Sequence, residues 1–409
     1  MTAPPPWAGP YDAAQQEVLK MPLDTPVQQP AGRVYPDLAR FTFIGESPIQ
    51  VPADPLAYAN LVTEALKLSP LLYVFRTGPA SLANPQALYG PKPQVSPDPW
   101  TRVELDAAGR ATLVPALPGE DIRALLDRAA KAEGLEALAL LREAAAKSDR
   151  CPGVHAMLAD SALGLRDFDT AQSAARQALE IDPTFPHAHR VLAETSLQRG
   201  DEVQARASLA RALAAYPTYP RAWKVAEALL RGPVQRNVRI DPPFIEVNPQ
   251  GAVIVVTCGR PFCEGYGACK AALRYEPHLR ATILKTPPAA PYHLSATEEV
   301  VCLEAGVGAH LAALQEAEIA RTADPVAERL AHLASTRGLS AYAMFEIIGR
   351  YRPEWLRVAP EPVHDAVVDH VLTLVLGAVV GPAAAPAESG EPVTAERRCL
   401  GGGIHATQG

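Results

Sequence analysis

One stretch of this 409-residue chain repeats itself at a fixed period, and self-similarity of that kind constrains a fold more tightly than local propensity does. Ala137, Ala171 and Ala205 stand 34 residues apart, as do Ala144, Ala178 and Ala212. Leu158 pairs with Leu192, Pro183 with Pro217 and Pro186 with Pro220 at the same spacing. Small residues recurring on a helix face let antiparallel helices approach closely. Asp182-Pro183 and Tyr216-Pro217 each end a helix, because the residue before a proline is pushed out of the helical region. Each unit therefore reads as one helical hairpin. Several hairpins must stack to bury the faces that a single one leaves open, which predicts about seven antiparallel helices over residues 121 to 231.

Two full units, PGVHAMLADSALGLRDFDTAQSAARQALEIDPTF (152–185) and PHAHRVLAETSLQRGDEVQARASLARALAAYPTY (186–219), follow a degenerate one at 121–149 and precede a half unit at 220–232. At its packing positions this segment resembles the tetratricopeptide repeat. The resemblance implies a groove lined by the first helix of each hairpin, and it selects Asp160, His187, Arg190, Glu194, Gln198, Arg221 and Lys224 as groove residues. Three are basic, which suits a peptide carrying carboxylates, although an ordinary solvated helix face would give the same pattern. Repeats that clamp a terminal carboxylate need an Asn on the first helix. The corresponding positions here are Met157, Val191 and Val225, which argues against that variant.

Around the repeats the pattern changes. Residues 1–48 hold nine prolines with no sustained period and read as an extended arm. A helical period over 54–68, the apolar run LLYVF (71–75) and the two strand-like halves of TRVELDAAGRATLVP (101–115) suggest a small α+β unit over 49–118. Past the repeats of 119–232, FIEVNPQGAVIVVTC (244–258) reads as a β-hairpin, followed by a helix over about 266–275, in an insert spanning 233–293. A helical domain is expected over 294–381, opened by a capping box of Ser295 and Glu298, with Asp324-Pro325 starting a further helix and two more at about 340–351 and 363–380. Residues 382–409 read as a flexible tail. The expected fold class is mainly α: a short helical-hairpin stack with a small α+β N-terminal unit, a β-hairpin-containing insert and a helical C-terminal domain.

Two further clusters carry chemistry on paper. Cys258, Cys263 and Cys269 are spaced C-x4-C-x5-C and could begin a zinc site, but structural zinc sites pair their ligands two to four residues apart. Buried small hydrophobes are the simpler reading. The same loop has Gly259, Gly265, Gly267 and Lys270 between strand and helix, the order of a phosphate-binding loop, without the Ser or Thr after the lysine that such loops use. A Gly-rich turn with a solvated Lys270 is its plain alternative. In PVHDAVVDHVL, Asp365 and Asp369 share a helix face beside His364 and His370, and a solvated acidic stripe explains them as well as a metal would. No cofactor and no metal is expected, and no catalytic residue can be named.

Charge and composition exclude other classes. Thirty-eight Lys and Arg against 45 Asp and Glu leave a net charge of -7, with no basic surface for tracking phosphates, so nucleic acid is not the expected partner. The longest apolar run, 371–380, is about half of what crosses a bilayer. No secretory leader is visible, so a cytoplasmic location is expected, with six cysteines as thiols or metal ligands. The functional expectation is an adaptor or scaffold that binds a peptide segment of a partner protein in the repeat groove. The alternative is a modifying enzyme, or a substrate-presenting subunit of one, with chemistry in the Cys258–Lys270 loop.

Overall fold

The computed structural model describes residues 55–77, 96–105, 111–148, 150–234, 243–247, 253–258, 262–284, 296–316, 325–335, 338–359 and 361–377, with isolated positions between 287 and 294. The expected arm at 1–48 and tail at 382–409 lie outside the described residues. In chain order the elements are α1 (Pro55–Lys67), β1 (Leu72–Thr77), β2 (Thr101–Leu105), β3 (Ala111–Pro115), α2 (Glu120–Ala129), α3 (Gly134–Lys147), α4 (Pro152–Gly164), α5 (Phe168–Ile181), α6 (Pro186–Gln198), α7 (Glu202–Ala215) and α8 (Pro220–Leu230). There follow β4 (Phe244–Val247), β5 (Val253–Cys258), α9 (Phe262–Tyr275), α10 (Pro277–Leu284), α11 (Ala296–Glu316), α12 (Pro325–Ser335) and α13 (Leu339–Tyr342). A π-helical and a 3-10 turn, Ala343–Ile347 and Ile348–Arg350, lead into α14 (Pro353–Arg357) and α15 (Glu361–His370), the latter ending in a π turn, Val371–Val375. The fold is mainly α. The elements fall into two units, each built from two stretches of chain: 1–92 with 238–351, called here the sheet unit, and 93–237 with 352–409, called the repeat unit.

The sheet unit orders its strands β1-β5-β4. β1 runs parallel to β5, from Leu72 opposite Val253 to Thr77 opposite Cys258, while β4 lies antiparallel on the other edge. With a neighbour on each side and α9 packed on it, β5 is buried along its whole length. That matches its unbroken apolar run, since a strand covered on both faces has no reason to alternate. α11 packs against both α9 and α1. Close approach explains two of its contacts. A Cβ on Gly308 would run into the carbonyl oxygen of Pro55, and one on Gly265 would come within 2.6 Å of the Ala309 Cβ.

The repeat unit holds seven helices between Glu120 and Leu230 among the described residues. Proline opens α4, α6 and α8 at positions 152, 186 and 220, where its missing N–H is one the first turn leaves unused anyway. Asp167 and Asp201, again 34 apart, cap α5 and α7 by accepting from the Thr170 and Gln204 backbone N–H at 3.2 and 3.0 Å. Ala144, Ala178 and Ala212 are fully buried, as are Ala171 and Ala205. A further periodic tie was not apparent from the alanine and proline spacing. The ring nitrogens of His155, His189 and Trp223, 34 apart in turn, lie 2.6, 2.8 and 2.7 Å from the carbonyl oxygens of Ser148, Pro183 and Pro217. A carbonyl only accepts, so each ring donates and pins a first helix to the chain leaving the preceding hairpin.

The flanking segments are partitioned differently from the sequence expectation. Of the α+β unit expected over 49–118, α1 and β1 join the sheet unit. The antiparallel β2–β3 pair joins the repeat unit, where Ala116 and Trp100 pack with Ile122 and Leu125. The insert expected at 233–293 shares its sheet with β1 rather than standing apart. The helical domain expected over 294–381 also divides: α11, α12 and α13 belong to the sheet unit, α14 and α15 to the repeat unit. There Arg357 pairs with Asp182, and Arg206 Nη1 donates to the Leu376 carbonyl at 2.6 Å. The reason is physical: pairing between β1 and β5 joins residues far apart in the chain and leaves no local period. Of the expected capping box, Ser295 lies outside the described residues, while the Glu298 carboxylate is fully buried and accepts from Lys270 and Tyr292.

Candidate functional site

The first helices of successive hairpins, α4, α6 and α8, place Asp160, Glu194 and Arg221 around a cavity of about 360 Å³, with Arg166, Phe168 and Gln198 also in its wall. Asp160 and Glu194 occupy equivalent positions, 34 residues apart. Arg190 lies beneath them and is fully buried. Its guanidinium donates to Asp160, to Glu194 at 2.5 Å and, through Nε, to the Tyr219 hydroxyl at 2.9 Å. Burial works against this charge, but Asp160, Tyr219 and Glu194 outweigh it and hold the pKa above the ordinary arginine value. Arg221, more than half exposed, reaches the same Asp160 carboxylate at 3.2 and 3.3 Å.

Of the seven groove residues expected from the sequence, four line this cavity: Asp160, Glu194, Gln198 and Arg221. Lys224 is exposed on α8 and is not in the wall. His187 sits between the rings of Phe185 and Tyr219, each centroid 5.3 Å away. Burial first, and the Arg190 charge second, push its pKa down to about 3, so it is neutral. Arg190 needs correction. Its position on the first helix predicts an outward side chain, which instead turns into the stack, because an acceptor from a neighbouring repeat and a tyrosine from the next helix start satisfy it there.

Arg166 and Phe168 were missed by sequence reasoning. Arg166 follows α4 with φ of 60°, the left-handed region, and Gly200 occupies the equivalent position one repeat later with φ of 79°. A side chain there costs about 1 kcal/mol over glycine, so its retention is a pointer to use. The comparison of positions 166 and 200 was the available signal. The Arg166 and Arg199 guanidiniums lie 5.8 and 5.9 Å from the Phe168 ring centroid, within reach of its π face. The wall thus mixes an apolar surface with cations whose charges are only partly spent inside the protein.

Comparison with known families bears on this region. Residues 162–229 match the family model of the tetratricopeptide repeat. The stack is a tetratricopeptide-type repeat region. No curated protein and no solved structure matches the chain. A repeat of this type is an interaction scaffold, and no described helix is long and apolar enough to cross a membrane.

The cysteine loop is also corrected. Cys258 pairs with Cys263 and Cys269 with Cys302 in disulfides, so these sulfurs are neither thiols nor metal ligands. Gly265 and Gly267 lie inside α9 as close contacts to α11 and to β5, not in a phosphate cradle. Lys270 is not solvated: with side-chain exposure of 0%, it donates to Glu298 at 2.5 Å and Glu299 at 3.0 Å. Tyr266 donates to Glu299 and Tyr292 to Glu298. Burial, only partly opposed by Lys270, raises the Glu298 pKa. On α15, Asp365 and Asp369 are exposed, and among the described residues no cluster of three His, Cys, Asp or Glu could hold a metal ion.

Proposed function

We propose that the chain is an adaptor whose repeat region holds a peptide segment of a partner protein on the face built by α4, α6 and α8. Arg166, Arg221 and Phe168 form the recognition surface in this reading. The observation that carries it is the rigid floor of that face. Arg190 is spent on Asp160, Glu194 and Tyr219 and fixes those carboxylates, while Arg166 and Arg221 are exposed in the same wall as the Phe168 ring. Such a wall suits a peptide that offers a carboxylate next to an apolar side chain. Thiol or metal-bound cysteines were expected as a consequence of a cytoplasmic location, and Cys258, Cys263, Cys269 and Cys302 do not meet that expectation.

The test uses peptides selected on the full chain from an unbiased displayed library, measured against variants. Arg166→Gly should leave the stability of the stack unchanged or raise it by up to about 1 kcal/mol, because the left-handed backbone is relieved. The same change should weaken peptide binding about tenfold, a loss of about 1.4 kcal/mol. Binding unchanged in Arg166→Gly and also in Arg221→Glu would place recognition elsewhere.

A further inference from the structure

We propose that the two disulfides form a redox-sensitive clamp on α9 that fixes the sheet unit in an oxidising environment and loosens it in a reducing one. Both bridges converge on this one helix from different elements. Cys258, the last residue of β5, joins Cys263 in the first turn of α9, with Cα atoms 5.4 Å apart. Cys269, in the middle of α9, joins Cys302 on α11 with Cα atoms 5.1 Å apart, closing a separation of 33 residues. Both Cα separations fall within the span of about 4.4 to 6.8 Å that a disulfide bridges without moving the backbone. All four cysteines are at most 4% exposed.

The second bridge has a particular neighbour. Lys270 follows Cys269 directly, and its partners Glu298 and Glu299 stand one turn before Cys302 on α11. Bridge and buried charges therefore occupy adjacent turns of one helix seam. A buried lysine and two buried carboxylates tolerate little slippage, because any shift leaves charge in an apolar seam without its partner. The covalent link at the next turn holds the register in which the charges meet. The seam is also tight, with Gly265 against Ala309.

The chemistry balances as thiol–disulfide exchange. For each bridge, one cysteine thiolate attacks a small disulfide oxidant such as oxidised glutathione, forming a mixed disulfide and releasing one glutathione thiolate. The second cysteine then attacks the protein sulfur, releasing the other glutathione, so that two thiols lose two electrons and two protons overall. A dithiol reductant reverses it.

The full chain, equilibrated over a range of reduced to oxidised glutathione ratios, tests this. Alkylation followed by peptide mapping should find Cys258–Cys263 and Cys269–Cys302 closed under oxidising ratios. Reduction should then speed amide exchange in 262–275 and 296–316 by about tenfold or more, as local opening becomes easier. Exchange in 120–230 should not change, since the repeat unit holds no disulfide among its described residues. Cys302→Ser should reproduce the part of the effect at α11 while leaving Cys258–Cys263 closed. All six cysteines alkylating under oxidising ratios, a different pairing, or equal exchange rates in both redox states would each overturn the clamp.

Discussion

Arg190→Ala should destabilise the repeat unit by about 3 to 5 kcal/mol, the usual cost of removing one partner from a buried ion pair. The side chain is fully buried and holds three acceptors from three places: Asp160 on α4, Glu194 on its own helix, and Tyr219 at the start of α8. Removing it leaves a void and frees two carboxylates that are each about one-quarter exposed, so the lower half of that range is expected. Arg221→Ala is the control. Its side chain is 56% exposed, and a surface pair of that kind contributes about 0 to 1 kcal/mol. Three of the four tryptophans, Trp100, Trp223 and Trp355, belong to the repeat unit, and the fourth, Trp7, lies outside the described residues, so tryptophan fluorescence during urea unfolding reads the repeat unit when measured in a Trp7→Phe background. Equal losses in the two variants would show that Arg190 is not the hub described. Charge reversal at Arg190 is for the same reason a test of folding, not of partner binding.

The second large effect is acid lability. His187 and His189 are held neutral, their pKa values pushed down by burial to about 3 and about 4, while an unfolded histidine titrates near its ordinary value of 6.5. The bond from His189 to the Pro183 carbonyl opposes that fall and is too weak to cancel it. Between pH 6.5 and about 4 the unfolded state binds more protons than the folded one, so stability falls as the pH falls through that window. At about 1.4 kcal/mol per pH unit per histidine, the two together cost about 4 to 5 kcal/mol at pH 4.5, with His187 discounted for its partial exposure. Glu354, whose carboxyl is raised by burial in the same unit, works in the opposite sense and offsets a part. His187→Phe keeps a ring between Phe185 and Tyr219, and His189→Gln keeps a donor to the carbonyl. The double variant should flatten urea stability between pH 6.5 and 4.5. An unchanged pH slope would mean that other groups govern the acid limb.

The residues divide by how local their information is. The hairpin stack was legible because Pro152, Pro186 and Pro220, Ala144, Ala178 and Ala212, and the Asp-Pro and Tyr-Pro breaks recur at one spacing, and a recurrence needs no tertiary knowledge. The antiparallel pairing of β4 with β5 was legible for a similar reason, since the two runs are close in the chain and the residue types at 248–251 are those of a turn. Parallel pairing of β1 with β5 was not, because nothing within either run names a distant partner. Lys270 and Arg190 illustrate the same limit at the level of side chains. A charged residue is read as exposed until its acceptors are known, and here these lie on α11 and α4. The disulfides depended on Cys302 meeting Cys269, a packing fact between two helices that spacing alone does not carry. Four of the seven residues chosen by repeat position line the cavity. Arg166 was hidden by its place in a turn that the helix-based choice of positions excluded.

The proposal that recognition occurs on the face of α4, α6 and α8 is tested most directly by position-specific photo-crosslinking on the full chain. A photoreactive phenylalanine analogue at Gln198, in the cavity wall, is compared with one at Arg176, exposed on α5. A peptide selected on the full chain should crosslink from position 198 and not from position 176. Crosslinking from 176 with none from 198 would contradict the groove as the binding surface.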